Sequence, residues 1–165
     1  MIPRSFLGLY GLGLLCSLGL GCARETTHLT STVEAYKPAL YKKTMCFGPC
    51  PAFTFEVNIT GSATLTIDLP LRESPLSELP PGAYQAEMTE ASAWNARINE
   101  AAEQVHYTTL DSLYDNPRVT DLPAVITEWN GKSVTNRYNG PDLTTLYATF
   151  DETMSALNWR SIETK

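Results

Sequence analysis

The chain has 165 residues, 43% of them hydrophobic, with 12 Lys and Arg against 18 Asp and Glu for a net charge of −6. That length is one domain's worth, long enough to bury a core, and the acidic balance argues against nucleic-acid binding and against an electrostatic grip on anionic lipid headgroups. Neither histidine carries a Ser or Asp pattern that would suggest a triad, and no Gly-rich phosphate loop follows a strand, so no catalytic set stands out.

Residues 1–21 read as an export signal: Arg4 gives a basic start, and FLGLYGLGLLCSLGL (6–20) is uncharged, apolar and too short to span a bilayer comfortably. The following LGLGC resembles a bacterial lipoprotein cleavage site, with Gly21 directly before Cys22. That resemblance implies that Cys22 becomes the lipidated first residue. Its acyl chains, at about 0.8 kcal/mol per buried methylene, would anchor the protein without a spanning helix. An ordinary cleaved signal or an uncleaved anchor would leave Cys22 a plain thiol. Ala23 stands where aspartate retains enteric lipoproteins in the inner membrane, so the expected address is the cell envelope, lipid-anchored to the outer membrane and facing the periplasm. Loss of residues 1–21 leaves 11 positive against 18 negative charges, or −7.

Residues 22–36 are polar, Thr-rich and aperiodic, as expected of a flexible tether, with His28 a solvated residue in it. Residues 39–45 form a plausible strand in which Tyr41, Lys43 and Met45 share a face. Beyond the cysteine pair, Phe53, Phe55, Val57 and Ile59 alternate with Thr54, Glu56 and Asn58; after Thr60-Gly61, Ala63, Leu65 and Ile67 alternate with Thr64, Thr66 and Asp68. This predicts a hairpin with one buried face. Residues 69–87 contain Pro70, Pro75, Pro80 and Pro81 and predict a long loop.

From Met88 the period turns helical through Ala91, Trp94, Ile98 and Val105, with Thr89 as the N-cap. A polar connector over 106–121 follows. Asn130-Gly131 then predicts a second hairpin between residues 122–129 and 132–138. A strict two-residue turn sets Val125, Thr127 and Trp129 on one face with Val134, Asn136 and Tyr138, leaving Ala124 and Ile126 on the other; the register stays open. Asn139 or Gly140 as cap, Pro141 in the first turn and the stripe Leu143, Leu146, Tyr147, Phe150, Met154 and Leu157 predict a closing helix, ended by Trp159.

The order is strand, strand, strand, helix, strand, strand, helix. It predicts an α+β domain over residues 37–162, an antiparallel sheet of about five strands with two helices packed on one face. The string CFGPCP (46–51), the strand after it, the Trp-Asn-Gly-Lys turn and the closing helix together resemble a bacterial envelope and lipoprotein domain of unknown function with the signature Cys-Phe-Gly-x-Cys-Pro. The resemblance implies compartment and a single fold unit, and no reaction.

Cys46 and Cys50 remain once Cys16 leaves with the signal and Cys22 takes lipid, an even pair suited to a disulfide in an oxidising compartment. A loop of about five residues gains roughly 2 kcal/mol from closure. Two alternatives stay open. Small exposed rings exchange readily, although nothing here activates a thiolate as a helix N-terminus would. Two thiolates could also start a copper or zinc site, with a further ligand from His106, Met45 or a carboxylate. His106 also suits a helix C-terminus as a cation. Glu56, Asp68, Asp111 and Asp115 read as solvated carboxylates. The expected function is a membrane-anchored periplasmic or surface lipoprotein with a non-catalytic binding or scaffolding domain, no cofactor, and an envelope protein as possible partner. The alternative is a thiol redox or copper-handling protein using Cys46 and Cys50.

Overall fold

Alternation of apolar and polar residues is realised as one sheet of eight strands in a computed structural model that describes residues 35–162. The signal at 1–21, Cys22, His28 and the tether as far as Glu34 lie outside the described residues. Strands β1 (Ala39–Lys43), β2 (Ala52–Val57), β3 (Ser62–Leu69) and β4 (Gly82–Glu87) precede helix α1 (Ala91–Gln104). A single 3-10 turn (Tyr107–Thr109) leads to β5 (Leu113–Tyr114), β6 (Val125–Trp129), β7 (Lys132–Asn136), α2 (Thr144–Ala156) and β8 (Arg160–Ser161). Across the sheet the order is β5-β7-β6-β1-β2-β3-β4-β8, antiparallel throughout except for β5 beside β7. Among the described residues no helix is long and apolar enough to cross a membrane.

The α+β class and the two helices are as expected; the sheet is not, being mixed and eight-stranded rather than antiparallel with about five. Strand β4 was hidden by the prolines, all four of which precede it. Gly82 onward alternates cleanly, with Tyr84 and Ala86 buried and Gln85 and Glu87 exposed. Strands β5 and β8 are two residues each, too short for any period to register. The loop before β4 is itself packed, since Leu71 and Leu76 are buried and Tyr84 donates its hydroxyl to the Pro80 carbonyl at 2.7 Å.

Register fixes which residues share a face. Tyr41 lies opposite Phe55 on one side and Thr127 on the other; Phe55 lies opposite Leu65, and Leu65 opposite Tyr84. Both helices pack on this face. Phe150 of α2 stacks on Tyr41 with ring centres 5.0 Å apart and meets Phe55 edge-on at 6.4 Å, while Trp94 of α1 meets Trp129 edge-on at 6.3 Å. Each such side chain contributes about 1.5–3 kcal/mol by leaving water. Ile59, expected to continue β2, is 63% exposed because the chain turns at Asn58, whose Oδ1 accepts from the Thr60 and Ser62 amides. Gly61 there has φ +84 and lies under the Tyr36 ring, with which a Cβ would collide.

Helix starts differ from expectation. Glu90, not Thr89, occupies the N-cap of α1, and Leu143 that of α2, neither with a side-chain cap. Asp142 instead accepts from the Thr144 amide at 2.9 Å, and its bonds to Thr144 lower its pKa. The second hairpin has the strict two-residue turn, with φ +51 at Asn130 and +76 at Gly131, pairing Trp129 with Lys132, Thr127 with Val134 and Val125 with Asn136. Thr127 faces the core there, which is why the apolar pattern blurred. Buried Tyr107 donates to the Thr127 carbonyl at 2.7 Å and lies 3.0 Å from Thr127 Oγ1. Its hydroxyl is pushed up to about 12, chiefly by burial.

Ala35 and Tyr36, at the end of the expected tether, lie along α1. The Lys37 amide donates to Asn95 Oδ1, Asn95 Nδ2 donates to the Ala35 carbonyl, both at 3.0 Å, and Trp94 Nε1 donates to the Lys37 carbonyl at 3.3 Å. The chain therefore meets the domain at the end of the sheet where β1 begins.

Candidate functional site

The cysteine turn stands at the other end of β1. Cys46 and Cys50 are joined by a disulfide, with Cα atoms 5.9 Å apart, and the Gly48 amide donates to the Cys46 carbonyl at 3.0 Å. Thr44 secures the approach: its amide donates to the Ala124 carbonyl, and its Oγ1 accepts from the Ala124 amide at 2.8 Å. The turn is outside the core, with Phe47 92% and Met45 65% exposed. His106 is exposed at φ +52 between α1 and the 3-10 turn, its amide donating to the Glu103 carbonyl. Among the described residues no group of three or more His, Cys, Asp and Glu could hold a metal, so His106 is not brought into a ligand set with Cys46 and Cys50. Asp115 pairs with Arg137 at 3.5 Å, a structural role between β5 and β7.

Past the disulfide, Pro51 and Phe53 form one wall of a pocket of about 290 Å³. The loop carrying Leu71, Arg72 and Pro75 forms a second wall, and Asp151 and Met154 of α2 a third. Lys43, the last residue of β1, points into the same space. Its Nζ lies 5.3 Å from the ring centre of Tyr41 and 5.6 Å from that of Phe53, within cation–π range. Asp151 Oδ2 is 3.9 Å from Lys43 Nζ and 3.5 Å from the Tyr41 hydroxyl.

Both contacts are loose, since direct bonds of these kinds lie near 2.9 and 2.7 Å. Partial burial raises the Asp151 pKa, with the Lys43 charge and the Tyr41 hydroxyl pulling the other way. Burial and the Asp151 charge hold the Tyr41 hydroxyl protonated well above its ordinary range. The result is a pocket with an apolar floor and, at a rim that solvent reaches, a carboxylate beside an ammonium. Such a set has the chemistry to meet charge of either sign. Sequence reasoning passed over it, although Lys43 at an inward position of an otherwise apolar strand face was the visible signal; Asp151 left none, because a carboxylate beside a helix stripe looks solvated.

A second concavity, about 680 Å³, lies on the open face of the sheet between the two hairpin turns, floored by Leu40, Glu56, Thr64 and Glu128. Register places Leu40 directly between Glu56 and Glu128. Lys37, at its margin, has its ammonium 5.6 Å from the ring centre of Trp129.

The model of one protein family, described as Domain of unknown function (DUF6438), matches residues 39–154. No curated protein and no solved structure matches the chain. The matched span begins at the first residue of β1 and takes in the disulfide turn, Lys43 and Asp151.

Proposed function

The chain belongs to this family of unknown function, and from that premise we propose that it is a lipid-anchored protein of the bacterial cell envelope whose single domain, residues 37–162, binds a ligand rather than transforming one. Support for the address comes from the apolar leader, the LGLGC string and Cys22. The Cys46–Cys50 disulfide agrees, because such bonds persist in oxidising compartments. In this reading the Cys-Phe-Gly-x-Cys-Pro string is the signature of an envelope and lipoprotein domain, and the outer membrane facing the periplasm is the site of anchorage.

The observation that carries the binding part is the Lys43–Asp151 pocket, where an ammonium and a carboxylate lie 3.9 Å apart above an apolar floor. Radiolabelled palmitate should mark the wild-type chain, and Cys22→Ser should abolish the label and release the protein from membranes. Equal membrane retention of the unlabelled variant would refute the anchor.

A second reading, thiol redox or copper handling, is favoured by one observation: Phe47, Gly48 and Pro49 of the cysteine turn are exposed and Cys46 and Cys50 are half-buried, so a reductant can reach the pair. It fails if the pair stays oxidised in mild reductant and the purified protein carries no copper.

A further inference from the structure

Size, charge balance and the presence of both signs of charge in the pocket beside the cysteine turn together narrow its ligand. About 290 Å³ is the lower bound of ordinary ligand sites and suits a molecule the size of an amino acid, not a nucleotide or an oligosaccharide. Four charged side chains line it, Lys43 and Arg72 against Glu73 and Asp151, so the lining is neutral overall and favours neither a net anion nor a net cation. Phe53, Leu71 and Met154, each 2% exposed, make an apolar floor. Pro51 and Pro75 stiffen two walls, which keeps the cost of ordering low on binding.

The charges at the rim are of both signs. An ammonium has three donors, yet among the described residues the nearest acceptor for Lys43 is Asp151 at 3.9 Å, beyond direct hydrogen bonding. Arg72 has a backbone bond to Pro70 and no ion pair among the described residues. Among the described residues the Asp151 carboxylate receives only the 3.5 Å contact from the Tyr41 hydroxyl and the distant Lys43. A ligand carrying one carboxylate and one ammonium a few ångströms apart would complete both sides at once.

We propose that this pocket binds a small α-amino acid with an apolar side chain, its carboxylate on Lys43 and Arg72, its ammonium on Asp151 and its side chain on Phe53, Leu71 and Met154. This rests on the reading of the domain as a binding module.

Calorimetric titration of the full chain with three isosteric probes tests it: L-leucine, 4-methylpentanoate and 3-methylbutylamine. Leucine should bind, and each singly charged probe should bind at least about tenfold more weakly. Asp151→Asn and Lys43→Met should each weaken leucine by about tenfold or more, and Arg72→Gln, in the exposed part of the loop, should weaken it without disturbing the fold. Equal binding of 4-methylpentanoate, or of the amine, would overturn the zwitterion and leave a binding pocket of another class. Failure of all three probes also overturns it. The binding reading itself falls only if a fragment screen by thermal shift leaves the melting temperature unmoved as well.

Discussion

Adjacent rows across the sheet, built by neighbouring residues of the same six strands, have opposite characters. Val134, Thr127, Tyr41, Phe55, Leu65 and Tyr84 run across the covered face; Ser133, Glu128, Leu40, Glu56, Thr64 and Gln85 run one residue away across the open face. Every member of the first row is buried and none of the second is. Because strand side chains alternate strictly, a single backbone decides both rows. Stability therefore concentrates on the covered face, and the open face is constrained by little beyond strand propensity.

The sharpest attempt to break this contrast is Phe150→Ala, which removes the ring that touches Tyr41, Phe55 and Trp94. Urea titration should show a loss of about 3–5 kcal/mol. Tyr107→Phe should cost about 1–3 kcal/mol, because Thr127 would keep a buried polar atom without its partner. It should also alter the response to alkali. Folded Tyr107 holds its proton to about pH 12 whereas the unfolded residue loses it near 10.0, so the stability it supplies is full below pH 10.0 and is lost as pH rises through 12. The Phe variant should lack that part of the slope in melting temperature over the same interval.

Replacing both cysteines of the turn by serine should cost about 2 kcal/mol or less, since the closed loop is short and stands outside both faces. Least of all, Thr66→Ala on the open face should change stability by no more than about 0.5 kcal/mol. A cost near that of Phe150→Ala would mean that the open face is covered in the native protein.

What could be read in advance followed the same division. Phe53, Phe55 and Val57 alternate with Thr54 and Glu56, and Leu146, Phe150 and Met154 recur at helical spacing, so the central strands and the helical stripes were legible from local period. Strand β4 was masked by the punctuation of Pro80 and Pro81 immediately before it, and β5 and β8 exist only because a longer neighbour offers them hydrogen bonds. Thr127 was ambiguous for a related reason: its inward position is satisfied by Tyr107, 20 residues earlier, a partner that no local window contains. The cysteine pair was plain in its spacing. Lys43 and Asp151 are 108 residues apart and meet only through the packing of α2 on β1.

Both borders of the sheet are two-residue strands, β5 at one side and β8 at the other. Each leaves too short a row of free amides and carbonyls to seed pairing with a second molecule. An edge of long free strand is a template for extension; among the described residues each side of this sheet is bordered instead by a short piece of its own chain that covers part of a longer strand. Crowding many copies together should therefore not convert them into fibres through their edges, a property that concentrated samples followed by thioflavin fluorescence would report directly.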